Sequence, residues 1–141
     1  MASGVELLDE IKLSFDLQNV DIRTYSPLTL AYIGDAIYDL VIRSYVVGKG
    51  NTSNNNLHKE TTRYVSAKSQ ALMIEKLMPG LSEEELAIYR RGKNSKPYSG
   101  AKNATRKEYL MATGFEALMG YLYLSNNMSR MLELIKIAME D

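Results

Sequence analysis

The amino-acid sequence predicts an all-α domain. Three observations lead there. Apolar residues recur at helical spacing along most of the chain. Helix-start and helix-stop residues fall at the ends of those segments. No stretch reads as a convincing strand. No internal repeat or linker divides the 141 residues. Residues 1–141 therefore read as one domain of about six helices, with a core from about residue 25 onward.

Residues 5–15 read as a short amphipathic helix, with Val5, Leu8 and Ile11 on one side. Residues 16–26 connect it to the helix that organises the chain, residues 28–47. Ser26 suits its N-cap, Pro27 its first position and Gly48 its end. Ile33, Ala36, Ile37, Leu40 and Val41 have the spacing of a buried face. The other side carries Tyr32, Tyr38 and Ile42, so this helix must be covered on most sides. Asp35 nevertheless sits near its middle. A carboxylate there is costly unless it is paired, hydrogen-bonded or bound to a cation.

Residues 48–56 are a polar loop. Its Gly-Lys-Gly lacks the pattern of a phosphate-binding P-loop. Residues 57–78 read as a second long helix closed by Pro79-Gly80. Its first half is basic, with His58, Lys59, Arg63 and Lys68 against Glu60, and its second half is more apolar. Ser82 and Glu85 form a capping box, and Leu81 with Leu86 a hydrophobic staple, opening a helix to about Arg91. Residues 91–103 are a Gly/Ser/Asn/Pro loop of a length that usually serves function. Residues 108–124 are a helix apolar on all sides. Asn126 or Asn127 caps a last helix with Met128, Met131, Leu132, Ile135 and Ala138 inward.

Composition excludes several classes. The chain has no cysteine, so it has neither disulfides nor a thiolate zinc site. Acids stand where a signal peptide would carry lysines, and no segment has the length of a membrane span. The expectation is a cytoplasmic protein. The net charge is zero, but the average hides a cluster. Arg90, Arg91, Lys93, Lys96, Lys102, Arg106 and Lys107 lie within one acid-free stretch, interleaved with Asn94, Ser95, Tyr98, Ser99 and Asn103. Such a segment is suited to gripping phosphates; the bland alternative is a solvated basic loop.

Glu116 repeats the situation of Asp35. It is the only charged residue between Tyr109 and Leu124, and Gly114 and Gly120 leave room for another backbone nearby. The economical arrangement packs the two helices together with both acids facing one pocket. Two close carboxylates repel, so they share a proton or hold a cation. Oxygen donors without a His or Cys cluster favour Mg²⁺, with Mn²⁺ as the second choice. The alternative is that each acid bonds a nearby Tyr or Arg, such as Arg43 or Arg63. Asp39 lies four residues before Arg43, the spacing of an intrahelical ion pair. An acid pair beside a phosphate-gripping loop points to metal-assisted phosphodiester hydrolysis.

Tyr32-Ile33-Gly34-Asp35-Ala36-Ile37-Tyr38-Asp39 resembles the signature helix of the ribonuclease III superfamily. Phe115-Glu116-Ala117-Leu118-Met119-Gly120-Tyr121-Leu122-Tyr123-Leu124 resembles its second catalytic helix. Leu57-His58-Lys59, Val65-Ser66-Ala67-Lys68-Ser69-Gln70-Ala71 and Arg91-Gly92-Lys93-Asn94 are similar to the short branch called Mini-ribonuclease III, which lacks a double-stranded-RNA-binding domain. The resemblance implies an all-α nuclease fold dimerising through the signature helix. It implies Mg²⁺-dependent cleavage of duplex RNA, leaving 5′-phosphate and 3′-hydroxyl ends. It also implies trimming of precursor 23S ribosomal RNA, on ribosomal particles or with a ribosomal protein partner. Asp35 and Glu116 match the two central catalytic and metal-binding acids. Arg91, Lys93, Asn94, Lys96 and Lys102, with Lys68, are the candidates for RNA backbone contacts. Full-length relatives carry further acids where this chain has Ala31, Ala67 and Thr113, departures shared by the short branch. The reduced acid count also admits a non-catalytic RNA- or ribosome-binding homologue.

Overall fold

The computed structural model describes residues 7–95 and 105–140. Among the described residues the regular structure is entirely helical. The elements are α1 (Leu7–Ser14), α2 (Pro27–Gly48), α3 (Asn54–Val65), α4 (Ala67–Leu77), α5 (Glu83–Lys93), α6 (Arg106–Leu124) and α7 (Met128–Met139), with single 3₁₀ turns at Ile22–Thr24 and Met78–Gly80.

Local chemistry sets most of the ends. The Ser26 hydroxyl accepts from the Thr29 N–H, and Pro27 follows it, so α2 begins where the sequence places it. The Ser82/Glu85 capping box opens α5. A second capping box, Thr105 with Glu108, opens α6 two residues earlier than expected. Asn127 precedes α7 without a side-chain cap, while Asn126 takes a left-handed φ of 59°.

Residues 57–78 are not one helix. Ser66 is extended at φ −66°, ψ 154°, and ends α3 while starting α4. Its hydroxyl accepts from the Ser69 N–H at 3.2 Å, so one serine closes one helix and caps the next.

α6 is the central element and packs against α2, α4, α5 and α7. Phe115, Leu118, Met119 and Leu122 are buried along it. Its contact with α2 is a backbone-to-backbone approach. A Cβ on Gly34 would overlap the Glu116 carbonyl oxygen, and one on Gly120 would overlap that of Leu30. Only glycine allows helices this close. On another side, a Cβ on Gly92 of α5 would sit 2.7 Å from the Ala117 Cβ and 3.0 Å from the Gly114 Cα.

The buried face of α2 differs from the one its spacing suggests. Leu30, Ala31, Gly34, Ile37, Tyr38, Ile42 and Val46 face inward. Tyr38 and Ile42, expected opposite the core, are fully buried, and Tyr38 meets Phe115 edge-on at 5.0 Å. Ala36 and Leu40, expected inside, are exposed. In α7 Leu132 likewise points outward and Leu134 takes the inner position.

Candidate active site

The Gly34–Gly120 contact decides where the two isolated acids lie. Asp35 follows Gly34, and the Glu116 carbonyl is what a Gly34 Cβ would strike. The carboxyl groups of Asp35 and Glu116 therefore meet across the α2–α6 seam, close enough to share a proton. They open on a cleft of about 480 Å³ lined also by Tyr32, Ala36, Tyr109 and Thr113. Asp35 is exposed, whereas Glu116 is half-buried.

Burial pushes the Glu116 carboxyl up to about 8, the Asp35 charge and their hydrogen bond push the same way, and the Gln70 amide opposes them. Tyr38 lies beneath, its phenol raised chiefly by burial and then by the charges of Tyr64 and Glu116. The Tyr38 hydroxyl donates to the Tyr64 carbonyl at 2.7 Å. Burial and the neighbouring Asp35 charge disfavour the ionised Glu116 carboxyl unless a cation joins the pair.

Neither arginine considered as a partner neutralises the pair. Arg43 donates to Asp39 at 2.9 Å, the expected intrahelical pair, and Arg63 to Glu60 at 3.0 Å. Among the described residues no group of three or more His, Cys, Asp or Glu side chains forms a cluster. The donor set is two carboxylates on an open cleft. That fits a hard divalent cation, since Mg²⁺ retains several waters and takes one or two protein carboxylates. Asp35 and Glu116 are the residues that would hold it. Ala31 and Thr113, where longer relatives carry acids, line the same cleft, so the departures fall at the site itself.

The ribonuclease III domain model matches residues 28–127, spanning both acid-bearing helices. The chain belongs to the ribonuclease III family. Mini-ribonuclease 3 of Clostridium tetani is 45% identical over 118 residues, covering 83% of this chain and 78% of the relative. That of Enterococcus faecalis is 49% identical, covering 82% and 89%. That of Brevibacillus brevis is 50% identical, covering 80% and 84%. A crystal structure of a Fusobacterium nucleatum protein superimposes with a TM-score of 0.77 at 36% identity, covering 84% of this chain and 95% of that one. These relatives place the chain on the Mini-ribonuclease III branch, and membership makes it an endoribonuclease.

The candidate phosphate contacts divide. Arg91 and Asn94 are exposed and Lys93 is partly so, at the α5 end that touches α6 through Gly92 beside Thr113. Lys68 is exposed in the first turn of α4. Lys96 and Lys102 lie outside the described residues. His58 is exposed on α3, away from the acid cleft. Gln70 is the residue near Glu116 to which sequence reasoning gave no role. Its signal was a polar side chain among the apolar residues Ala71, Met73, Ile74 and Leu77.

Proposed function

We propose that this endoribonuclease cleaves RNA duplexes with Mg²⁺, or Mn²⁺ in its place, at a centre built from Asp35 and Glu116. The observation that carries this is the meeting of two carboxylates on an open cleft, enforced by two glycines and, among the described residues, in no ion pair with an arginine. A bound divalent cation supplies Lewis-acid polarisation of the phosphoryl group and a water acidic enough to attack it. Asp35, exposed, and Glu116, seated deeper, hold that cation and orient the attacking water. The products carry 5′-phosphate and 3′-hydroxyl ends. Arg91, Lys93, Asn94 and Lys68, with Lys96 and Lys102, bind the RNA backbone. Recognition rests on duplex shape and phosphates more than on base edges.

The working form in this reading is a homodimer. Tyr32 is 82% exposed and Leu40 49% exposed, with exposed Ala36 between them on the outer face of α2. A second copy covering that face accounts for a helix apolar on both sides. Asp35 lies next to Ala36, so each cleft opens at the edge of the shared surface. The whole chain, residues 1–141, acts as one catalytic domain. No helix among the described residues is long and apolar enough to cross a membrane. We place the activity in the cytoplasm, on the ends of precursor 23S ribosomal RNA, within ribosomal particles or with a ribosomal protein.

The test is incubation of the protein with a long RNA duplex and with precursor 23S RNA, free and in ribosomal particles, followed by mapping of the new ends. Cutting of duplex RNA, with defined ends on the precursor, is the expected result. Neutralising Arg91 and Lys93 weakens RNA binding across sequences and lowers the salt slope by about one per lost contact. Unchanged binding would remove the basic segment from the interface.

A further inference from the structure

Gln70 is 2% exposed, in the part of α4 that packs on α6. Its Nε2 donates to the Val65 carbonyl at 3.0 Å, while its Oε1 has no hydrogen-bond partner among the described residues. That is unusual, because buried polar groups in folded proteins nearly always have their bonds made. An apolar side chain of similar size would fill the space without leaving an oxygen orphaned.

The break at Ser66 explains the anchor. In a continuous helix the Val65 carbonyl would accept from the Ser69 N–H. Here that N–H is taken by the Ser66 hydroxyl, so the Val65 carbonyl is left for a side chain. Gln70 takes it with one amide hydrogen. The second hydrogen of the same nitrogen is then available to the Glu116 carboxyl, which the Gln70 side chain meets where α4 packs on α6.

We propose that Gln70 is a positioning residue for the metal centre: its buried amide, moored on the carbonyl freed by the α3–α4 break, fixes the Glu116 carboxyl for a divalent cation. A flexible glutamate on a seam opened by glycines gains a fixed rotamer from this contact. Groups behind a metal-binding carboxylate commonly change metal affinity by about 10–100-fold. The inference rests on the reading of Asp35 and Glu116 as the cation's ligands.

The test is Mn²⁺ binding to the full chain by calorimetry, without RNA, for wild type, Gln70→Met, Glu116→Gln and the double variant. Methionine is close in size and apolar, so the fold should be kept, checked by thermal unfolding and sedimentation. Gln70→Met should weaken Mn²⁺ about tenfold or more and shift the Mg²⁺ midpoint of cleavage upward by a similar factor. At saturating Mg²⁺ its kcat should recover while KM for RNA stays unchanged. In the Glu116→Gln background it should add nothing, because the two act through one carboxyl. Wild-type Mn²⁺ affinity in folded Gln70→Met would overturn the proposal. So would equal weakening in both backgrounds. Failure of wild type itself to bind Mn²⁺ would overturn the ligand reading, and the proposal with it.

Discussion

Two buried or half-buried acids stand at helix contacts in this fold, and their surroundings are opposite. Glu85, at the start of α5, accepts from the Ser82 N–H at 2.9 Å and from Arg130 Nε and Nη2, each at 2.8 Å. Arg130 in turn donates to the Gly80 carbonyl at 3.1 Å and to Glu133, tying α7 to α5. Its charge and hydrogen bonds are matched, and the Arg130 hydrogen bonds hold the Glu85 carboxyl below the usual range. Glu116 faces another carboxylate across a glycine seam, and burial holds it well above that range. The first acid is committed to the fold. The second is kept against electrostatic preference, with coordinating capacity to spare. An acid whose needs are met in the free protein has little left for a ligand, which is the physical basis for reading the α2–α6 seam as the site.

Closing that seam should have the largest effect. Gly34→Ala puts a methyl group into the Glu116 carbonyl and forces two helices apart. The expected cost is about 3 kcal/mol or more, at the upper end of overpacking, with cleavage lost alongside. Denaturant unfolding and the cleavage assay read the two together. Stability unchanged would show that the seam is looser than described.

Removing the matched acid comes next. Glu85→Ala removes the buried partner of Arg130, leaving it Glu133 and the Gly80 carbonyl, and deletes the capping box; it should cost roughly 2–4 kcal/mol by denaturant unfolding. Cleavage per folded molecule should persist, which separates this site from the seam.

The unmatched acid should behave in reverse. In metal-free protein, Glu116→Gln should raise stability at pH 8–9 by about 1 kcal/mol, a few degrees in Tm, while cleavage falls. The pH profile distinguishes the two acids further. Glu116 binds its proton more tightly folded than unfolded. Its contribution is therefore present below the ordinary glutamate range and lost as pH rises towards about 8. Glu85 is depressed when folded, so its contribution is present above the ordinary range and lost as pH falls through it. Thermal melts across pH should lose, in Glu116→Gln, the decline that runs from the ordinary glutamate range up to about pH 8, and in Glu85→Gln the decline below that range.

The smallest effect belongs to an acid on the helix of Asp35 but outside the cleft. Asp39→Asn breaks a largely exposed pair with Arg43 and should change stability by less than about 0.5 kcal/mol. A large loss of cleavage in this variant would enlarge the site beyond two acids.

What the sequence disclosed follows the same physics. Capping chemistry is local, so the starts of α2 and α5 were readable from Ser26-Pro27 and from Ser82 with Glu85. The pairing of Asp35 with Glu116 was readable because isolated acids and small residues coincide on two apolar helices. The buried face of α2 was not, since an apolar pattern all round carries no preferred side, and tertiary packing alone sends Tyr38 and Ile42 inward. The α3–α4 break was hidden because Ser66 interrupts neither charge nor helical periodicity, and only its extended backbone reveals the double cap. Gln70 was hidden for the same reason, since its anchor exists only once that break has formed. The basic segment was visible as charge, and the structure places Arg91 to Asn94 beside α6.

The most direct test of the central claim is cleavage of a long RNA duplex by wild type and Asp35→Asn, each with Mg²⁺ and with EDTA. The account predicts that wild type cuts with Mg²⁺ and stops in EDTA. Asp35→Asn should stay folded and bind the duplex, yet cut at least about a hundredfold more slowly. Cutting by Asp35→Asn at the wild-type rate, or cutting that survives EDTA, would contradict it.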